Sequence, residues 1–365
     1  MSIDHEFGLA ETAPRFVHPS GGDAGERLAR LRLIRSRRVG PATYQRLMEE
    51  HGAARAALAA LPDIAPAAGV DDYAPCPEPV ALAEFKAAKR AGARLLCLGD
   101  PDYPAGLAGL ADAPPVLWAK GQLDLLTRPM LAIVGTRNAS ALGTRMARSL
   151  ATDLGKAGFV IVSGLARGID ALAHRAALDT GTIAVMAGGI DVIYPVENTD
   201  LARDITAKGL LLSEMPFGLE PQARHFPQRN RIVSGLAQAV IVVEAAVRSG
   251  SLITARIALD QGREVMAVPG HPMDSRASGV NLLIRDGALL VRDAQDVIDA
   301  LGAAPVPTPA PTPAIRKTVA PSAKATPSIP DGGLEGAILT ALGPSPIAED
   351  QLIRDLGHSP RAIAQ

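Results

Sequence analysis

Residues 224–231 combine the side chains that could hold a single strand of nucleic acid, just ahead of a predicted helix and an apolar strand. The segment contains Arg224, His225, Phe226, Arg229, Asn230 and Arg231. Guanidinium groups pair with phosphates, and stacking of a base on an aromatic ring contributes about 1 to 3 kcal/mol in any sequence. The alternative is a buried Phe226 with arginines that pair with Glu214, Glu220 and Glu244, since charge-balanced loops are common.

Glycine and arginine also follow several of the segments that read as β-strands. These strand ends are 135–137 (GTR), 163–168 (SGLARG), 188–189 (GG), 248–251 (RSGS) and 270–272 (GHP). In an open parallel sheet such ends share one edge, where ligands bind. Glycine lets the backbone approach a ligand, and the amides that begin the following helices favour anions. A glycine in such a turn can also be only a steric requirement, but Arg137 and Arg167 beside these turns indicate phosphate.

Several kinds of active site are not supported by the sequence. The first strand end reads GTRNASALG, which lacks the dinucleotide pattern GxGxxG, and no GxxxxGK[ST] loop is present. No HExxH or GxSxG pattern occurs either. Asp170 and His174 lie four residues apart on one predicted helix, which favours a capping or supporting contact over catalysis. We therefore predict a binding protein with no catalytic residue, no cofactor and no metal.

The order of the predicted elements indicates the fold class. Predicted strands are 94–98, 131–135, 159–163, 182–188, 210–214, 239–245, 264–270 and 288–291, and helical patterns fill most of the gaps. This alternation predicts an α/β fold with a Rossmann-like, mostly parallel sheet. The predicted domains are a disordered N-terminus (1–22), a helical domain (23–90), the Rossmann-like domain (91–302), a linker (303–330) and a small helical module (331–365). The linker prediction rests on eight prolines without an acidic residue.

Composition limits the partners and the compartment that we expect. The formal net charge is -1, so support for a polyanionic partner has to be local. Cys76 and Cys97 are the only cysteines and form no CxxC motif, which favours a reducing compartment. The first twenty residues lack the pattern of a secretory signal, and no window approaches the roughly 18 apolar residues of a spanning helix. We expect a cytoplasmic protein without a membrane span.

Seven ordered motifs over roughly residues 95–300 resemble the DNA-processing protein A family (DprA, also called Smf). They are AIVGTRNAS, SGLARGIDALAH, GGIDVIYPVEN, SEMPFG, HFPQRNRIVSGLAQAVIVVEA, RSGSLITARIALDQGREVMAVPG and GVNLLIRDGA. The resemblance implies a homodimer that binds and protects incoming single-stranded DNA and helps to load the RecA recombinase in natural transformation. Residues and resemblance together give these DNA-binding residues: Gly135, Thr136, Arg137, Ser163, Gly164, Arg167, Gly168, Phe226, Arg229, Asn230 and Arg231.

Two further points follow from the resemblance. The family has a sterile-alpha-motif-like or helix-hairpin-helix domain in front, which RRVGPATYQRL resembles, and a winged helix behind. Here the last module ends before a complete recognition helix and wing, which is why we expect it to be partial. The alternative function is a nucleotide-binding phosphoribohydrolase that resembles the LOG or lysine-decarboxylase-like group, with Glu244 as catalytic carboxylate. Against it, VVEAAVRSGSLITA replaces the PGGxGTxxE pattern of that group.

Overall fold

The structure is a computed structural model that describes residues 24–66 and 69–302. The predictions for the N-terminus (1–22), the linker (303–330) and the winged-helix-like module (331–365) lie outside the described residues. The described residues belong to one compact unit. None of their helices is long and apolar enough to cross a membrane.

Helices and strands alternate over most of the described chain. The helices are α1 (Ala24–Arg35), α2 (Pro41–His51), α3 (Ala54–Ile64), α4 (Glu78–Arg90), α5 (Ala105–Ala108), α6 (Ala141–Lys156), α7 (Ile169–Ala176), α8 (Thr199–Lys208), α9 (His225–Leu236), α10 (Gly250–Asp260), α11 (Ser278–Arg285) and α12 (Ala294–Leu301). The strands are β1 (Arg94–Cys97), β2 (Val116–Gly121), β3 (Met130–Gly135), β4 (Val160–Ser163), β5 (Thr182–Val185), β6 (Leu210–Ser213), β7 (Ala239–Val243), β8 (Glu264–Ala267) and β9 (Leu289–Leu290).

The strands form one sheet in the order β1-β2-β6-β5-β4-β3-β7-β8-β9. All pairings from β6 through β9 are parallel, whereas β2 runs antiparallel to both β1 and β6. The predicted Rossmann-like, mostly parallel sheet is confirmed. The sequence prediction missed β2, because VLWAKG has a single β-branched residue and its strand character depends on backbone pairing with Leu210–Ser213.

Alternate side chains of the central strands pack into two separate cores. On β3, Ala132 and Val134 contact the core under α9 and α10, while Leu131 and Ile133 contact the core under α6 and α7. Strands that are buried on both faces read as continuous apolar runs, which is why these strands were recognisable in the sequence. Helices on both faces leave the carboxyl edge of the parallel strands accessible to a ligand.

The N-terminal helices share a core with the antiparallel end of the sheet. Leu31 of α1 lies in one cluster with Leu95 and Trp118 of the first two strands. Arg27 donates to the buried carboxylate of Asp100 over 2.7 Å, which ties α1 to the loop after β1. The chain breaks between the first two helices, because α1 ends at Arg35 and α2 begins at Pro41. These contacts fix the helical domain against the sheet.

The basic segment lies inside α9, and the prediction that it precedes a helix was wrong. The helix begins at His225 and includes Phe226, Arg229 and Arg231. Pro227 is compatible with this position, because the amide of the third helical residue has no partner within the helix. The side chains of this segment are therefore held on a regular helix, with directions set by its period.

Candidate nucleic-acid interface

Two adjoining cavities open at the carboxyl edge of the sheet. The first has a volume of about 420 Å³ and lies beyond the ends of β4 and β5. The second has a volume of about 730 Å³ and lies beyond the ends of β3 and β7. Four residues line both cavities and form what we call the shared wall: Arg137, Ala166, Phe226 and Arg229. A strand-end site that the sequence predicted as a single edge is thus divided into two compartments.

Most of the predicted binding residues line these cavities. Gly164 and Arg167 line the first cavity, and Gly135, Thr136 and Asn230 line the second. The structure does not bring Ser163, Gly168 or Arg231 to either cavity. Ser163 is fully buried and its hydroxyl donates to the carbonyl of Ile133 over 2.7 Å, so it joins β4 to β3.

Gly168 has a supporting place behind the loop that carries Arg137. Its φ of +71° lies in the region that favours glycine. A Cβ atom there would collide with the carbonyls of Thr136 and Arg137. Gly168 therefore allows the loops after β3 and β4 to contact each other, although it touches neither cavity.

Arg229 is the central cation of the site. The residue is only 6% exposed, no carboxylate lies within salt-bridge distance among the described residues, and its Nε has no hydrogen-bond partner. Burial lowers the pKa of the guanidinium, whereas the nearby Asp170 acts in the opposite direction. An arginine nevertheless stays protonated in proteins. A buried cation without a close counter-charge is costly, and a bound phosphate would supply that charge.

The SGLARG turn is shaped around this arginine. Gly164 lies against the Arg229 guanidinium, and a Cβ atom at this position would overlap it. Asp170 accepts hydrogen bonds from the amides of Gly164 (3.1 Å) and Ala166 (3.4 Å). Burial raises the pKa of Asp170, and Arg229 and these two amides oppose that shift. The carboxylate thus supports the turn, in agreement with the supporting role predicted for it.

The opposite side of the same turn is held by Asn198. Its Nδ2 donates to the carbonyls of Leu165 (2.9 Å) and Ala166 (3.2 Å). Leu165 is a fully buried leucine with φ +56°, a backbone conformation that costs about 1 to 3 kcal/mol in a residue with a side chain. The contacts from Asn198 and Asp170 keep the turn in this conformation, which presents the Gly164 backbone to the first cavity.

Aromatic rings form the mouth of the first cavity. The centroids of Phe226 and Tyr194 are 5.7 Å apart, and the Arg137 guanidinium carbon lies 5.6 Å from the Phe226 centroid. Tyr194 is 50% exposed. Rings in this arrangement offer surface on which a base can stack next to a cation that can pair with its phosphate.

The helical period of α9 places its binding residues and its ion-paired arginine on different faces of the helix. Phe226, Arg229 and Asn230 are three and four residues apart and share one face. Arg231 points elsewhere, and its Nη2 lies 2.5 Å from Glu214 while its Nη1 donates to the carbonyl of Asp112 over 2.7 Å. Its side chain is largely buried in this ion pair. The charge-pairing alternative weighed for this segment therefore describes Arg231, but not Arg229.

Glu244 does not have the placement that a catalytic carboxylate would need. It lines neither cavity, and its carboxylate accepts hydrogen bonds from the amide (2.9 Å) and the hydroxyl of Ser140, the N-cap of α6. Its own carbonyl accepts from the amide of Thr136 over 2.8 Å. Glu244 thus positions the loop that carries Arg137. The phosphoribohydrolase alternative, which depended on Glu244 as the catalytic carboxylate, loses its support.

His174 is a buried neutral side chain beneath the site. Its Nδ1 lies 2.7 Å from the Thr182 hydroxyl, which itself donates to the carbonyl of Ile161, so Nδ1 carries the proton. Burial and the charge of Arg229 lower the pKa of His174 to about 3. Asp170 and His174 thus make separate supporting contacts, Asp170 with the SGLARG turn and His174 with Thr182.

The shifted pKa of His174 predicts how stability depends on pH. The unfolded chain takes up a proton near pH 6.5, the ordinary pKa of a histidine, and the folded chain does not. The free energy of unfolding should therefore fall as pH is lowered, by about 1.6 kcal/mol between pH 6.5 and 5. Urea unfolding at both pH values, compared with His174→Asn, measures this. Equal losses in the two proteins would contradict it.

Tyr194, Asn198 and Arg248 are among the lining or supporting residues that were not predicted as binding residues. Tyr194 and Asn198 lie within the motif GGIDVIYPVEN, and Arg248 lies in a strand end that the sequence had indicated. Arg248 lines the second cavity and is exposed. The sequence signals that could have identified Tyr194 and Arg248 were an aromatic residue in an otherwise apolar turn and an arginine in a glycine-rich turn. Within the described part of the chain, no cluster of His, Cys, Asp and Glu could hold a metal ion.

Known proteins resemble this chain in sequence and in fold. The family model described as "DNA recombination-mediator protein A" matches residues 94–302. A "DprA-like N-terminal HHH domain" model matches residues 24–87, and a "DprA winged helix domain" model matches residues 321–365, which overlaps the predicted linker. DNA processing protein DprA of Bacillus subtilis is 46% identical over 213 residues, covering 58% of this chain and 72% of the relative.

Two solved structures are similar in fold as well as in sequence. DNA processing protein A from Streptococcus pneumoniae has a TM-score of 0.62 and 37% identity, covering 75% of this chain and 95% of that protein. DNA processing protein A from Helicobacter pylori has a TM-score of 0.53 and 33% identity, covering 57% of this chain and 95% of that protein. The latter structure is described for its single-stranded DNA binding mode.

Proposed function

Because the chain belongs to the DNA recombination-mediator protein A family, we propose that its sheet domain binds single-stranded DNA in the two cavities. The resemblance predicted from the ordered motifs is confirmed. In this proposal the first cavity takes a base and the shared wall contacts the backbone. The binding residues are those of the prediction that line a cavity, together with Tyr194 and Arg248.

One observation carries the proposal: three arginines that line the cavities form no ion pair with a described residue. Arg137, Arg229 and Arg248 have no carboxylate within salt-bridge distance among the described residues, whereas Arg231 on the other face of α9 has two. Arg167 at the rim is paired with Glu197 at 2.5 Å, but both side chains are more than half exposed. Such an exposed pair contributes little and can exchange for a phosphate.

The first cavity has the composition that a nucleobase requires. Met186, Ala187, Val192 and Pro195 provide apolar surface, and Phe226 and Tyr194 provide ring faces. Stacking on aromatic rings tolerates any base, and phosphate contacts do not depend on sequence. We therefore expect binding that is largely independent of sequence.

The finer function is proposed on family membership. We propose that the chain acts in the cytoplasm as a homodimer, protects incoming DNA during natural transformation and helps to load the RecA recombinase. We also propose the division into a helical domain (23–90), a DNA-binding domain (91–302), a linker (303–330) and a winged-helix-like module. In this proposal the protein is a binding protein without enzymatic activity, so incubation with nucleoside monophosphates should release no base.

The salt dependence of binding tests the proposal directly. Neutralising about three phosphates on a single strand should give a slope of roughly -2 when log K is plotted against log salt concentration. Fluorescence anisotropy with labelled oligothymidylate measures this slope at salt concentrations from about 50 to 300 mM. Affinity that does not change with salt would contradict the proposal, as would the absence of binding.

A further inference from the structure

The second cavity lies where the order of the strands reverses. From β3 the chain continues to β4 on one side, whereas β7 pairs with β3 on the other side. The cavity is lined by the end of β3 and the loop after it (134–137), and by residues of the loop after β7 and of the first turns of α10, such as Arg248, Gly250 and Thr254. In open α/β sheets such a switch point is the place where a crevice forms and a ligand binds.

The N-terminus of α10 opens into this cavity. The helix has 11 residues and is capped by Ser249, whose hydroxyl accepts from the amide of Ser251 over 3.3 Å. Ser251 and Thr254 line the cavity one helical turn apart. Gly250 also lines it, and a Cβ atom there would have nothing within 4 Å. Free amides and the helix dipole favour an anion at this end.

Besides Arg137 of the shared wall, two further cations face the same space from different elements. Arg229 is more than nine-tenths buried with an unpartnered Nε, and it reaches the cavity from α9. Arg248 reaches it from the loop after β7 and is exposed. Among the described residues, Asp170 is the one acidic residue that lines this cavity, and its carboxylate accepts hydrogen bonds from the amides of Gly164 and Ala166. The net charge of the lining therefore favours an anion.

We propose that the N-terminus of α10, with Arg248 and Arg229, binds a second backbone phosphate of the strand whose base occupies the first cavity. This inference rests on the proposed function, because it names a further contact of the same strand. It assigns a phosphate-binding role to the RSGS turn. The shared wall, Arg229 above all, then lies between the base and this second phosphate, which fixes the path of the strand across the sheet edge.

Gly250→Glu gives opposite expectations for binding and stability. An acidic residue in the first turn of a helix is favourable, so the urea midpoint should stay the same or rise. The added carboxylate would repel a phosphate, so the dissociation constant for oligothymidylate should rise by about tenfold or more at low salt. Gly250→Ala is the matched control and should bind within about twofold of the wild type. A purely structural role of this turn would not separate the two variants.

The salt dependence of binding by a second variant measures whether one phosphate contact has been lost. Arg248→Ala should reduce the magnitude of the slope of log K against log salt concentration by about 0.7. Arg256→Ala is its control, because Arg256 is exposed on α10, the helix that follows Arg248, but lines neither cavity. Inorganic phosphate at matched ionic strength serves as a parallel probe of whether the site accepts a free anion in place of the strand.

Each outcome decides the inference. Equal affinities of Gly250→Glu and Gly250→Ala, or equal slopes of Arg248→Ala and Arg256→Ala, would overturn it while leaving the proposed function intact. Variants that lose binding of inorganic phosphate but keep full affinity for the oligonucleotide would overturn the assignment to the DNA strand. A wild-type protein that does not bind oligothymidylate would overturn the proposed function as well.

Discussion

Replacing Arg137 with alanine is expected to weaken single-stranded DNA binding by about 10- to 100-fold at low salt. A hydrogen bond to a charged group contributes about 1.5 to 3 kcal/mol, and each 1.4 kcal/mol is about a factor of ten. Arg137 is exposed, contacts Phe226 and has no ion pair among the described residues, so its loss should barely change the free energy of unfolding. Anisotropy titrations with oligonucleotides of different sequence measure the effect, which should be uniform across them.

The control for this variant is Arg175→Ala. Arg175 is exposed on α7 and lines neither cavity, so the same loss of charge should leave affinity nearly unchanged. Adding Arg229→Gln to Arg137→Ala should cost more than either change alone, because the two cations contact different parts of the strand. Unchanged affinity of Arg137→Ala at matched salt would contradict a role of the shared wall in DNA binding.

Gly164→Ala should reduce binding by about tenfold or more, although the new methyl group carries no charge. Its Cβ would occupy the position of the Arg229 guanidinium, so the cation has to leave the shared wall. Gly164 is outside the left-handed region, so its backbone accepts alanine. Overpacking at a buried position costs about 1 to 3 kcal/mol. Binding measured well below the unfolding midpoint separates lost affinity from lost stability.

Gly109→Ala is the matched control for this substitution. Gly109 is exposed and a Cβ atom there has nothing within 4 Å, so both stability and binding should stay close to the wild type. Full affinity of Gly164→Ala would show that the position of Arg229 against this glycine has no part in binding.

Much of the sheet could be predicted because its central strands are buried on both faces. Segments such as AVIVV and LAIVG are apolar at every position, and the structure places them in β7 and β3. The sequence did not predict β2, because the strand conformation of an antiparallel segment near the end of a sheet depends on backbone pairing with its neighbours. Those partners, β1 and β6, lie about 20 and 90 residues away in the sequence, a separation that a local pattern cannot reveal.

The sequence predicted a binding site along one edge of the sheet, but not its division into two cavities. The strand-end glycines and Arg137 follow from local pattern, since parallel strands end on one side. The distinction between Arg229 and Arg231 depends on where α9 begins and on Glu214, which is 17 residues away in the chain. With the helix start at His225 known, the period alone would have placed Phe226, Arg229 and Asn230 together. The strained Leu165 and its support by Asn198 required the tertiary structure.

A crystal structure of the protein with a short oligothymidylate would test the central claim most directly. The account predicts one thymine in the first cavity against Phe226 and Tyr194, with backbone phosphates within hydrogen-bond distance of Arg137 and Arg229. Nucleotides bound at another surface, with both cavities filled only by solvent, would contradict it.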